Sequence, residues 1–391
     1  MTPAARVAAA IEVLDRWLNR KGRLERLLQQ WGKANRFAGS GDRRAIGDLC
    51  YGALRRRRSA LWAAGVDEPG CARALIRGAL LLDGVDPADI FTGVRHAPPE
   101  LAPDERTSRH LAEAPWPVRL DVPDWLCPRL DGVAEPILAA MRERAPVDLR
   151  ANLLKADRAT VRQALAEEGI ETDELALVPT ALRVTAGARQ VRQGRAWREG
   201  LVELQDAASQ FAAAVADARS GEIVLDLCAG AGGKALALAA MMGQGCKLIA
   251  HDIDARRMSD LPERASRAGA QIEIVGTDRL STLTEACDLV FVDAPCSGSG
   301  TWRRDPEAKW RLDQAELVRL QRTQLALLRQ AAGYVRPGGR VAYATCSILS
   351  SENAEIVVRF CEDAPDWKLA RSEQLDPTQG CDGFFVALLT R

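Results

Sequence analysis

An α/β Rossmann-like domain, preceded by a small α+β subdomain and an N-terminal all-helical domain, is the architecture this sequence of 391 residues predicts. Three observations predict it. Apolar residues recur at helical spacing through roughly the first ninety residues. Strand and helix signals alternate from residue 222 onward, and several of those strands end in glycine-rich turns or acids. The chain is also too long for a single compact core, so more than one domain is expected.

The first element group is helical. Val7, Ile11, Leu14 and Leu18, then Leu24, Leu27, Leu28 and Trp31, fall three or four residues apart, and Leu49, Leu54, Leu61, Leu75, Ile76, Ala79, Leu80 and Leu82 continue the pattern. Gly39-Ser40-Gly41-Asp42 and Asp67-Glu68-Pro69-Gly70 read as turns between helices. Eight prolines between Pro98 and Pro136 mark a linker with short helical pieces. These features place a helical domain at 1–135 and a small α+β domain at 136–204. In the latter, Asp148 to Leu154 and Glu174 to Val184 are strand-like and Ala159 to Glu168 is helical.

The third domain, 205–391, carries the continuous apolar strands of a parallel sheet covered on both faces. Strands are expected at Ile223–Leu227, Lys247–His251, Gln271–Val275, Asp288–Val292, Arg340–Ala344 and Gly383–Leu389. Helices are expected at Gly232–Met242, Ala255–Ala268 and Leu312–Val335.

Composition excludes whole classes. Hydrophobic residues at 47% and charged residues at 27% rule out a disordered or collagen-like chain. Apolar stretches fall short of a membrane span, and no secretory signal opens the chain. Ten cysteines without a Cys-x-x-Cys pair argue against structural zinc and a disulfide scaffold, and favour free thiols in a reducing cytoplasm. Net charge is zero, but residues 1–60 hold fourteen Lys or Arg, including Arg55-Arg56-Arg57-Arg58, against five acids. That excess is the footprint expected of a polyanion partner, a solvated basic helix face being the plain alternative.

Three stretches carry chemistry. Asp226-Leu-Cys-Ala-Gly-Ala-Gly-Gly-Lys234 joins a strand to a helix through a small-residue turn, so backbone N–H groups face the crevice at the sheet edge. It is not a Walker loop, since Cys228 takes the first glycine position and Ala235 follows Lys234; nor is it a complete dinucleotide fingerprint, whose third glycine would fall on Ala235. Asp252, Asp278 and Asp293 follow at successive strand ends, where a carboxylate can meet ribose hydroxyls. Asp293-Ala-Pro-Cys296-Ser-Gly298 and Tyr343-Ala-Thr-Cys346-Ser347 then deliver two cysteines to neighbouring strand ends. A lone cysteine is ordinarily inert, as Cys50, Cys71 and Cys246 are read to be, but two beside such a loop point to thiol chemistry.

With Arg303-Arg-Asp-Pro-Glu307, Lys309-Trp310, Glu352-Asn353, Asp382-Gly-Phe-Phe385 and Gln205-Asp-Ala-Ala-Ser209, these residues resemble the RsmB/Sun family of S-adenosylmethionine-dependent RNA cytosine-5 methyltransferases. The likeness spans about 145–391, and the helical N-terminus looks like the NusB-type RNA-binding domain of the RsmB branch. In one departure, Gly230-Ala231 stands where the family reads Ala-Pro, which loosens the turn.

The resemblance implies the fold of an S-adenosylmethionine methyltransferase, with an RRM-like small subdomain. It implies Cys346 as the nucleophile toward cytosine C6, Cys296 as the thiol assisting product release, and Asp293 as the group holding the base. S-adenosyl-L-methionine would be contacted by Cys228, Ala229, Gly230, Ala231, Gly232, Gly233, Lys234, Asp252, Asp278 and Asp293. Arg303, Arg304 and Lys309 would hold flanking phosphates, and Trp302 and Trp310 are candidate stacking groups. The expected partner is RNA, 16S ribosomal RNA by the RsmB likeness, met by a monomer with no metal and no membrane. Transfer RNA or DNA cytosine methylation and a non-catalytic RNA-binding assembly factor are the competing readings.

Overall fold

A computed structural model describes residues 1–245 and 247–391 and divides them into two compact units. One comprises Met1–Arg144 with Trp302–Leu312, the other Ala145–Thr301 with Asp313–Arg391. The helical unit therefore runs to 144 rather than 135, and it takes in a segment that the sequence assigned to the third domain.

Helices α1 (Pro3–Leu18), α2 (Leu24–Ala34), α3 (Ser40–Arg55), α4 (Arg57–Ala63) and α5 (Ala72–Leu82) bury Val7, Leu14, Leu27, Trp31, Ile46, Leu54, Leu61 and Leu75 in one core. Ser40-Gly41-Asp42 is not a turn but the first turn of α3. Gly39 caps it, and the Asp42 carboxylate accepts the Gly39 N–H at 3.3 Å. The proline-rich stretch belongs to this unit. Asp121, fully buried, accepts from the Ser59 N–H at 2.9 Å and from Arg142 at 2.8 Å.

The second unit opens with a four-stranded antiparallel sheet of β1 (Asp148–Ala151), β2 (Glu171–Glu174), β3 (Ala181–Ala186) and β4 (Val202–Leu204), in the order β2-β3-β1-β4. The single strand expected at Glu174–Val184 is in fact a hairpin, its first strand too polar for a pattern of apolar alternation to reveal.

The larger sheet comprises β5 (Ile223–Asp226), β6 (Lys247–Ala250), β7 (Glu273–Ile274), β8 (Cys287–Asp293), β9 (Val335–Thr345), β10 (Lys368–Leu375) and β11 (Phe384–Thr390), ordered β10-β11-β9-β8-β5-β6-β7. Strands β5 to β9 are parallel, while β11 runs antiparallel to both β9 and β10. This is the expected Rossmann-like α/β class, with one antiparallel strand that apolar runs alone do not disclose. The strand order reverses between β5 and β8, which opens a crevice outside their carboxyl ends. The helix expected at Ala255–Ala268 is a 3₁₀ turn at Ala255–Met258 followed by a helix at Leu261–Ala268. Among the described residues, no helix is long and apolar enough to cross a membrane, and no His, Cys, Asp and Glu cluster could hold a metal ion.

Candidate active site

The glycine-rich turn leaves β5 at this switch point. Gly230 and Gly232 adopt φ of +53° and +80°, a region open to glycine at no steric cost. A Cβ on Gly232, which caps the following helix Gly233–Met242, would lie 2.2 Å from the Leu261 side chain, so the turn packs closely against the start of the helix Leu261–Ala268. The turn is fastened on several sides. Asp252, buried at the end of β6, accepts the Gly230 N–H at 2.9 Å and the Arg257 guanidinium at 2.9 Å. The Ala231 carbonyl accepts from Arg264, and the Gly233 carbonyl accepts from Arg150 at 2.7 Å. The Gly230-Ala231 turn is thus held by Asp252, which the sequence singles out, and by Arg264 and Arg150, which no local motif reveals.

Asp226, which the sequence counts among the strand-end acids, is 0% exposed, and neither of its carboxylate oxygens has a hydrogen-bond partner. Burial, aided by the negative charge of Asp293, pushes its carboxyl up to about 7. Cys228 lines the turn as expected; burial and the nearby Asp226 push its thiol up, so it is a poor nucleophile. Asp278 is exposed at the start of the 3₁₀ segment that follows β7. Ile253, next to Asp252, is an apolar side chain left 83% exposed.

The two cysteines converge. Cys296 follows β8, Cys346 follows β9, and their sulfurs are 3.4 Å apart. The hydrogen bond with Cys296 holds the Cys346 pKa below the usual thiol value, and the Lys234 ammonium acts in the same direction against burial and Asp293. The same hydrogen bond, with burial, drives the Cys296 thiol well up. Between the two sulfurs the surroundings favour the anion on Cys346 over Cys296. Lys234 pairs with Asp293 at 2.7 Å and lies 5.1 Å from the Phe384 ring centre. Burial lowers its pKa, but the charge and hydrogen bond of Asp293 outweigh that and raise it. The lysine expected only among the cofactor contacts therefore also supplies the positive charge beside the thiols.

A second layer holds the thiol loops in register. Glu352, fully buried, accepts from the Ser297 N–H at 2.8 Å, the Ser347 hydroxyl at 2.6 Å and Gln324 Nε2 at 3.0 Å. Gln324 also donates to the Pro295 carbonyl at 2.9 Å, and the Gly300 N–H donates to the Cys346 carbonyl at 2.9 Å. Glu352 and Asn353 entered the sequence reading only through the family likeness; Gln324 did not enter it.

The expected phosphate contacts fare differently. Lys309 is 2% exposed, its ammonium 4.7 Å and 5.9 Å from the ring centres of Trp310 and Trp302, and burial brings its pKa down to about 8. Arg303 is buried, and its carbonyl accepts from Arg55 at 2.6 Å. Trp302 is buried as well, and Trp310 Nε1 donates to the Leu54 carbonyl at 2.6 Å. Of the expected contacts only Arg304 is exposed; the others are packed into the helical unit, a tertiary fact that charge counting cannot anticipate. The nine described cysteines are free, Cys50 buried and Cys71 exposed, while Cys246 lies outside the described residues.

Residues 213–390 match the family model described as 16S rRNA methyltransferase RsmB/F, and residues 122–191 match a ferredoxin-like domain of RsmF/B-like methyltransferases. The ribosomal RNA small subunit methyltransferase B of Thermus thermophilus is 32% identical over 427 residues, covering 100% of this chain and 98% of that protein. The probable ribosomal RNA small subunit methyltransferase B of Synechocystis sp. is 31% identical over 296 residues. That match covers 69% of this chain and 66% of the relative, just under two thirds of its length. The crystal structure of PH0851 superposes with a TM-score of 0.80 at 26% identity, covering 100% of this chain and 99% of that one.

Proposed function

Because the chain belongs to the RsmB/Sun family of methyltransferases, we propose that it transfers a methyl group from S-adenosyl-L-methionine to C5 of a cytosine in 16S ribosomal RNA, by way of a covalent bond between Cys346 and C6. The observation that carries this reading is the thiol pair, 3.4 Å apart beside the Lys234–Asp293 ion pair.

The residues present fit the cofactor. Gly230 and Gly232 form a turn that admits a ligand close to the backbone, and the unpartnered Asp226 carboxyl beneath it suits a cationic group. Asp252 keeps a lone pair for a ribose hydroxyl, since its oxygens accept three hydrogen bonds, from the Gly230 and Asp254 N–H groups and from Arg257. Ile253 offers an apolar face for a heteroaromatic ring. Cys228, Ala229, Ala231, Gly233, Lys234, Asp278 and Asp293 complete the expected lining. The cofactor, when bound, supplies an electrophilic methyl group.

The chain's own residues prepare the base. Cytosine C5 is a weak nucleophile until a group adds at C6. The Cys346 thiolate makes that addition: a sulfur–carbon bond forms, and the C5–C6 π electrons shift toward N3. Asp293 holds the N3/N4 edge and a proton at N3 as that charge develops, in a setting that Lys234 keeps electrostatically balanced. After methylation a general base takes the C5 proton, the C–H electron pair re-forms the C5–C6 double bond, and the sulfur–carbon bond breaks to return the Cys346 thiolate, with Cys296 assisting this release. The target nucleotide must leave its stack to reach the thiols, which costs least in a loop or bulge.

The test is methyl transfer from S-adenosylmethionine labelled in its methyl group to purified 16S ribosomal RNA, followed by digestion to nucleosides. The expected product is 5-methylcytidine. Label in another nucleoside, in transfer RNA alone, or in no RNA at all would contradict the proposal. The last result would favour the non-catalytic assembly factor.

A further inference from the structure

We propose that the exposed face of α2, with Phe37 just beyond its end, is a surface of the helical unit that binds single-stranded RNA. This rests on the reading that the substrate is RNA and names the surface that grips it.

The basic excess of the first sixty residues divides sharply in the structure. The Arg55–Arg58 run is spent internally. Arg55 donates to the Arg303 carbonyl, Arg56 pairs with Asp83 at 2.6 Å, Arg57 lies 5.2 Å from the Trp310 ring centre, and Arg58 pairs with Asp124 at 2.6 Å. Residues 16–36 behave in the opposite way. They hold Arg16, Arg20, Lys21, Arg23, Arg26, Lys33 and Arg36 against the single acid Glu25, and none of these seven cations forms an ion pair among the described residues.

Geometry gathers them. Successive α-helical residues turn by about 100°, which places Arg23, Arg26, Gln30 and Lys33 within roughly an 80° arc, its middle about 140° round the helix from the buried Leu24 and about 120° from Trp31. Glu25 falls on the far flank of that arc. Arg16 of α1 donates to Gln30 at 2.9 Å and so joins the middle of the row. The row spans about 15 Å, long enough to follow a phosphate backbone past several nucleotides. Three further acids lie near the row: Asp15, exposed on α1; Glu307, which accepts the Leu24 N–H; and Asp305, whose carboxyl feels Arg23 without pairing to it.

The row leads to Arg36 and Phe37, and Phe37 is 73% exposed. Phe37, Trp31, Ala5, Ala8, Asn35 and His96 help line a groove of about 650 Å³. Its walls are apolar with a few polar groups, the setting in which an unstacked base is held by an aromatic face. Glu12 also lines it, but its carboxylate is already engaged by Trp31 Nε1 at 3.0 Å. The groove lies on the Trp31 side of α2 and the cations on another, so the two meet only at the exposed Phe37 beyond the helix end, where a strand whose phosphates follow the row would bring a base to the ring. A duplex would leave Phe37 without a partner.

The experiment measures binding of a fluorescein-labelled single-stranded RNA dodecamer of mixed sequence to the full chain by anisotropy, over a series of KCl concentrations. The variants are Arg23→Ala/Arg26→Ala/Lys33→Ala and Phe37→Ala. The triple variant is expected to lower the slope of log K against log salt by about two, since each single-strand phosphate neutralised contributes roughly 0.7. Phe37→Ala is expected to weaken binding roughly ten-fold at unchanged slope. S-adenosylmethionine binding and the melting temperature of each variant should match wild type, which separates this surface from folding and from the methyl-transfer site. An unchanged salt slope in the triple variant overturns the proposal. So does displacement of the RNA by polyglutamate at equal charge concentration with Phe37→Ala silent, which would assign the surface to an acidic protein. Failure of wild type to methylate RNA would overturn the catalytic reading alone, because binding is measured without cofactor.

Discussion

Oε1 of Glu352 accepts the backbone N–H of Ser297 at 2.8 Å, so a buried carboxylate 55 residues downstream fixes the residue beside Cys296. The other oxygen takes the Ser347 hydroxyl at 2.6 Å, beside Cys346. One carboxylate thus bridges the loops that carry the two thiols. Glu352→Ala should lower kcat about 100-fold with little change in KM, because displacement of reacting groups by about 1 Å has that order of effect. Glu352→Gln keeps an acceptor oxygen and should recover part of the rate. Equal losses in both variants, or a loss confined to KM, would show that the carboxylate does not act through loop position.

Lys234 and Cys296 both hold down the Cys346 pKa, so the reactivity of that thiol should titrate with its neighbours. A group favoured in its anionic form reacts from a lower pH than an ordinary thiol. Iodoacetamide should therefore label Cys346 faster than Cys296 at neutral pH, as read by peptide mass spectrometry. Lys234→Met, which removes the positive charge, should move the rising limb of Cys346 labelling to higher pH. An unmoved limb would remove Lys234 from the account of the thiolate.

Asp226 makes a prediction about stability. Its carboxyl sits at about 7 in the fold against its ordinary 3.8, so the folded chain binds this proton more tightly than the unfolded chain does. The stability that comes with the neutral carboxyl is complete below about 4 and is lost as pH rises through 7. Asp226→Asn cannot ionise. Its melting temperature relative to wild type, measured without cofactor, should rise between pH 5 and pH 8.5. A difference that stays flat or falls with pH would contradict this reading of the buried carboxyl.

Glu307 anchors the segment 302–312 in the helical unit, accepting from Trp17 Nε1 at 3.0 Å and from the Leu24 N–H at 3.0 Å. Glu307→Ala leaves both buried donors without a partner and should cost about 2–4 kcal/mol. Calorimetry should place the loss in the transition of the helical unit. Unchanged unfolding would mean that the segment is not held by this carboxylate.

The parts legible in sequence were those set by local pattern. Asp293, Cys296 and Cys346 stand at ends of apolar strands, and a strand end fixes where a side chain goes before any tertiary contact is known. Of the strands that escaped notice, β2 reads Glu-Thr-Asp-Glu and β10 is an exposed edge strand beginning Lys368-Leu-Ala-Arg371, so neither shows apolar alternation, while β4, Val202-Glu-Leu204, is too short to show any period. Charge was the least reliable guide. Arg303 and Lys309 read as phosphate ligands and Arg55–Arg58 as a polyanion footprint, but burial and pairing are tertiary facts. The scattered cations around α2 carried the unpaired charge instead. The clamps on the glycine turn, Arg150 and Arg264, lie far from it in sequence and belong to no motif.

In the proposed reaction Cys346 attacks and Cys296 assists release. The most direct measurement is to incubate wild type, Cys346→Ala and Cys296→Ala with 16S ribosomal RNA and S-adenosylmethionine, and to look for protein–RNA conjugates stable to denaturant. The account predicts turnover without a lasting conjugate for wild type, neither product nor conjugate for Cys346→Ala, and an accumulated conjugate mapped to Cys346 for Cys296→Ala. A conjugate on Cys296 in the Cys346→Ala variant, or continued methylation by that variant, would contradict it.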